Sequence, residues 1–182
     1  MHQNLALCDP HSLQVREGSS VACGTALAVA TVVIDASGVK AVLDATWRGD
    51  HGFGELLCRL DALGVERYCS DLVRFEATFY VRKGSILVPA PLVRTPPAPT
   101  LSIVGVEVAS RALHGGRIGY DEFRERLATA GCVSYMVSLL GRRCAYFDRL
   151  GESYNEALPR SVWPERMGWP RAATIRPMQR TA

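Results

Sequence analysis

Residues 38–91 lie over residues 105–158 without a gap, at a shift of 67 positions. The overlay pairs Gly38 with Gly105, Val39 with Val106, Ala45 with Ala112, Gly49 with Gly116, Glu55 with Glu122, Arg59 with Arg126 and Leu60 with Leu127. It continues through Gly64 and Gly131, Tyr68 and Tyr135, Leu72 and Leu139, Arg82 and Arg149, Gly84 and Gly151, and Ala90 and Ala157. Phe53 over Tyr120, Phe79 over Tyr146 and Tyr80 over Phe147 are conservative pairs. Self-similarity at a fixed offset constrains a fold strongly, because both copies must follow one backbone path, and two copies are too few for a solenoid. In a chain of 182 residues this predicts two related units sharing one pseudo-two-fold core.

Each unit reads the same way. Apolar residues at helical spacing run over 38–48 and 105–113 and stop at glycine, followed by second helices over 53–63 and 120–130. Gly64 and Gly131 then stand where a left-handed residue ends a helix. Beyond them the period falls to two, predicting strands over 65–73 and 132–140. Their hairpin partners cover 77–81 and 143–148, and third strands cover 86–88 and 153–156. The expected fold is α+β: helix, helix, strand, strand, strand, used twice, with the helices on one face of a mostly antiparallel sheet. The join at 89–99 is proline-rich and should run extended. The chain thus divides into an N-terminal extension (1–34), the duplicated domain (35–160) and a basic tail (161–182).

Charge and composition remove several function classes. The net charge of +3 comes from the C-terminal stretch, where Arg160, Arg166, Arg171, Arg176 and Arg180 face only Glu165. A nearly neutral body argues against a broad nucleic-acid-binding face. The six cysteines show no CxxC spacing and the four histidines no HxxxH, so no metal or other cofactor is implied. The cysteines read as small buried residues of a reducing compartment. The apolar run 21–34 has 14 residues, short of the roughly 20 a spanning helix needs. No basic segment leads it, so it is not a signal peptide, and the expectation is a soluble, cytoplasmic protein.

The strings GVERYCSDLVRFEATFY followed by Gly84-Ser85, and AGCVSYMVSLLGRRCAYFDRLGE followed by Glu156 and Pro159, resemble the YbcV-like family of bacterial and prophage proteins, the "phage envelope protein" type. The likeness covers about residues 37–160. Ser70, Asp148 and Leu158 depart from the family pattern, which has a small apolar residue, glycine and phenylalanine there. The family has no established activity, so the resemblance implies no reaction. It leaves residues 1–34 outside, as a loosely attached segment whose apolar run could add a strand.

The polar residues kept in both copies or confined to one are the candidate ligand contacts. Tyr68 and Tyr135 fall at equivalent strand positions, either as core residues with hydrogen-bonded hydroxyls or as the lining of a pocket between the copies, and Arg82 and Arg149 fall near equivalent turns. Asp71 belongs to the first copy, and Arg142, Arg143, Tyr146 and Glu152 to the second. Arg142, Arg143 and Arg149 could hold a carboxylate or phosphate through paired guanidinium donors. Cys132 follows a helix-ending glycine, whose negative end should raise its thiol pKa, against a nucleophile there. Two function classes stay open: a non-catalytic module binding a small anionic ligand or a protein partner, homodimer included, and a small enzyme using Tyr, Arg and Glu on an anionic metabolite.

Overall fold

The computed structural model describes residues 35–163, which form four helices and a six-stranded antiparallel sheet. The first half runs α1 (Ala36–Trp47), α2 (Phe53–Ala62), β1 (Val65–Asp71), β2 (Glu76–Val81) and β3 (Gly84–Pro89). The second runs α3 (Ile103–His114), α4 (Tyr120–Thr129), β4 (Ser134–Ser138), β5 (Arg143–Phe147) and β6 (Ser153–Ala157). The fold is therefore α+β, as the periodicity predicts. Segments 1–34 and 164–182, with the expectations placed on them, lie outside the described residues.

Local chemistry sets the boundaries. Asp35 caps α1 by accepting from the Gly38 N–H at 2.8 Å, and Ser102 caps α3 by accepting from the Gly105 N–H at 3.2 Å. The first strands end earlier than alternation alone predicts. At 71 the Asp71 carboxylate takes the Val73 and Arg74 N–H groups, each at 2.8 Å, and turns the chain. At 138 the Ser138 hydroxyl does the same for Gly141, at 2.9 Å. Asp148, where glycine was expected, organises its own turn by accepting from Leu150 and Glu152 at 2.8 and 2.9 Å.

The strand order is β3-β2-β1-β4-β5-β6, so the halves meet at β1 and β4. There Tyr68 faces Val137, Cys69 faces Met136 and Ser70 faces Tyr135. Two rows cross the helix-covered face: Ile86, Phe79, Tyr68, Val137, Cys144 and Glu156, then Val88, Ala77, Ser70, Tyr135, Tyr146 and Tyr154. These rows and the inward faces of the helices make one core that spans both halves. In α2, Leu56, Leu57 and Leu60 are fully buried, each worth about 2 kcal/mol of apolar transfer.

The join between the halves has no regular structure, and α4 holds it in place. Glu125 accepts from the Arg94 and Thr95 N–H groups at 2.7 and 3.0 Å, and the former bond chiefly keeps its carboxyl below the usual range. The buried Arg124 guanidinium donates to the Pro91 carbonyl at 2.7 Å. The fold also extends past 160: Val162 is buried and its carbonyl lies against Gly54, so the first residues assigned to the tail belong to the domain.

Gly64 and Gly131 both have positive φ, +76° and +85°, but only Gly131 is also crowded. A Cβ there would lie 2.0 Å from the Thr100 carbonyl oxygen, whereas at Gly64 it would meet open space. Gly64→Ala is expected to cost about 1 kcal/mol in urea unfolding, from left-handed strain alone, and Gly131→Ala clearly more. Equal costs would contradict the packing of the join against α4.

Candidate functional site

Three phenols meet where the halves join. The Tyr120 hydroxyl lies 3.1 Å from that of Tyr68 and 2.7 Å from that of Tyr135. Tyr68 and Tyr135 come from the adjacent central strands with rings 6.4 Å apart, and Tyr120 drops between them from the start of α4. Of the two readings of Tyr68 and Tyr135, core residues with bonded hydroxyls or the lining of a pocket, the structure matches the first, with the Tyr120 hydroxyl as the partner of both. Burial pushes all three phenols well above their usual pKa range, so they serve as neutral hydrogen-bonding groups.

A second cluster belongs to the second half alone. Glu156 on β6 accepts from the Tyr146 hydroxyl at 2.6 Å and, through the same oxygen, from the Ser110 hydroxyl. His114, one turn after Ser110 on α3, places Nδ1 3.4 Å from the Ser110 oxygen and stacks on Phe53. Tyr154 stacks on Tyr146 and donates to Glu107 at 3.0 Å. At the positions 67 residues earlier stand Leu43 for Ser110, Trp47 for His114, Phe79 for Tyr146 and Pro89 for Glu156. The first half fills with apolar groups what the second fills with a hydrogen-bonded network.

Serine, histidine and glutamate in contact raise the question of a hydrolase triad, and the proton inventory answers it. Ser110 is fully buried and has one hydroxyl hydrogen, which it donates to Glu156. His114 can therefore only donate towards the serine oxygen, the reverse of a general base that takes the nucleophile's proton. Burial also lowers the His114 pKa, against an opposing pull from Glu156.

The other sequence-derived candidates do not converge. Tyr68 and Tyr135 meet through Tyr120, and Tyr146 pairs with Glu156. Asp71 is engaged in its turn, and Arg82 is exposed in the β2–β3 turn. Arg142 has φ of 50°, with its guanidinium 5.4 Å from the Trp163 ring centre. Arg143 is exposed on the other side of the sheet from the phenols. Arg149 reaches the Pro97 carbonyl at 3.3 Å, and Glu152 is an exposed turn residue. The three arginines therefore form no common anion cradle. Sequence reasoning missed Ser110, His114, Glu156, Tyr120 and Arg124. The signal was there in the 67-residue overlay, at positions where an apolar residue of the first half lies over a polar one of the second.

Cys132 and Cys144 are buried, and burial is the main cause that raises both thiols, Cys132 to about 12. The helix end that the sequence suggested is not the chief reason. Cys58 and Cys69 are half-buried and also raised, chiefly by burial. Among the described residues no group of three His, Cys, Asp or Glu is placed to hold a metal ion, and no helix is long and apolar enough to cross a membrane. No protein-family model matches the chain, and no curated protein matches it.

Tyr120→Phe should leave the Tyr68 hydroxyl buried without its partner, at a cost of about 1–3 kcal/mol in urea unfolding; a neutral result would contradict the hydroxyl chain. The unfolded His114 imidazole gains its proton near pH 6.5 and the folded one only below that. Stability is therefore expected to fall as the pH drops below about 6.5 towards the folded value. Urea midpoints should show a larger loss between about pH 7.5 and 5.5 for wild type than for His114→Gln.

Proposed function

We propose that this protein is a non-catalytic binding module, built from two copies of one unit, that presents to a partner the face of its sheet that none of the described helices covers. The observation that carries the reading is the closed state of its reactive groups. Tyrosines 68, 120 and 135 bond to one another, Ser110 commits its hydroxyl hydrogen to a hydrogen bond with Glu156, and the four described thiols are raised. A catalytic site needs a nucleophile, acid or base with an unused bonding position facing substrate.

In support of two copies, the β1–β4 register is unchanged when residues 67 apart are exchanged. Tyr68 faces Val137 as Tyr135 faces Ser70, and Cys69 faces Met136. The strings at 64–80 and 130–152 support the YbcV-like resemblance, which would make this an accessory protein of bacterial or prophage origin. The enzyme alternative, with Tyr, Arg and Glu acting on an anionic metabolite between the copies, draws no support from phenols closed on each other and an Arg149 bonded elsewhere.

Full-length protein treated with a fluorophosphonate probe is expected to carry no label on Ser110. Labelling of Ser110 that requires native folding would overturn the non-catalytic reading.

A further inference from the structure

We infer that the sheet face left open by the described helices takes a second copy of this chain, packed face to face about a two-fold axis that runs across the strands through Cys69 and Met136. This rests on the binding-module reading and names the partner. The middle row of the face is Leu87, Thr78, Cys69, Met136, Ala145 and Asn155. Leu87 is 51% exposed, and neither it nor Met136 belongs to the core or packs on it.

Charge selects both the occupant and its orientation. On one side of the middle row stand Asp71 and Glu76, and on the other Arg67 and Arg143. Asp71 uses one carboxylate oxygen, Oδ1, for both of its turn bonds. Arg67 lies over the Tyr80 ring at 4.4 Å. A two-fold axis across the strands sets the acidic flank of each copy on the basic flank of the other. Arg67 then faces Asp71 of the other copy twice over, and Glu76 faces the Tyr80 hydroxyl. An axis along the strands between β1 and β4 would instead set Asp71 over Ser134 and Arg67 over Ser138, which forms no Arg67–Asp71 pair and disfavours that arrangement. Glu76 is already paired with Arg74 of its own chain at 2.6 Å and Arg143 comes over Phe147, so the two Arg67–Asp71 pairs carry the complementarity of the face with itself.

Dimensions set the strength. Six strands at about 4.8 Å spacing and five residues at about 3.4 Å give a footprint of roughly 500 Å² per copy before side-chain relief. That is at the small end of specific interfaces, so the dimer should dissociate in the micromolar range. Sheets packed about 10 Å apart bring the two Cys69 side chains face to face, within reach of a short bis-maleimide.

Sedimentation velocity of the full chain across the micromolar range should show a monomer–dimer equilibrium, and cross-linking should give a Cys69–Cys69 peptide that Cys69→Ser removes. Met136→Asp should weaken the dimer by about tenfold or more with an unchanged far-ultraviolet spectrum. Arg67→Glu, at an exposed position, should do the same and covers the case in which Met136→Asp does not fold. A monomer at every concentration overturns the inference, as does a dimer indifferent to both substitutions. A monomer with Cys69 bridged to Cys8 or Cys23 assigns the face to residues 1–34 and also overturns it. Any of these results with Ser110 unlabelled leaves the binding-module reading standing, whereas a labelled Ser110 removes that reading as well.

Discussion

Five antiparallel pairs between β1 and β4, from Arg67–Ser138 to Asp71–Ser134, join two three-stranded sheets into one of six strands. A unit of about 54 residues with two helices over three strands has too little interior to be stable by itself, since small chains bury too small a fraction of their surface. The ladder removes the exposed edge from both central strands and lets the helices of both halves close over a shared core. It also fixes Tyr68 and Tyr135 beside each other, which gives the Tyr120 hydroxyl two partners at once.

Around this ladder the halves differ in what they bury. Phe53, Leu43, Trp47 and Phe79 keep the first half apolar, while Tyr120, Ser110, His114 and Tyr146 at the matching positions make the second half polar inside. Glu156 is half-buried, and its carboxylate receives the hydroxyls of the buried Ser110 and Tyr146, so those two donors are satisfied. Arg124, in the place of Leu57, applies the same logic to the join: its guanidinium holds the Pro91 carbonyl and fastens a segment that proline keeps out of any strand or helix. The polar side chains inside the second half serve its own closure and the closure of the connection to the first.

Much of the fold was legible in the residues. Helices, strands and their order followed from periodicity and from glycines such as Gly64 and Gly131, whose positive φ values are what a helix-ending turn requires. The ends of the first strands were less legible, because Asp71 and Ser138 stop them by side-chain bonds to backbone N–H groups that no periodicity records. The site was legible only in part. Tyr68 and Tyr135 were singled out and do meet, but the third phenol and the Ser110–Glu156 contact are 15 and 46 residues distant from their partners in sequence. Charge grouping also misled, since Arg142, Arg143 and Arg149 are near in sequence yet face Trp163, the open side of the sheet and the Pro97 carbonyl.

The central claim is that the two halves form one cooperative core through β1 and β4. Native-state hydrogen exchange across a denaturant series tests it directly. The amides of residues 67–71 and 134–138 that bond across the ladder should exchange together, at the free energy of global unfolding. If the amides of one half open at a markedly lower free energy while the other half stays protected, the ladder is a contact between separate units and the account is wrong.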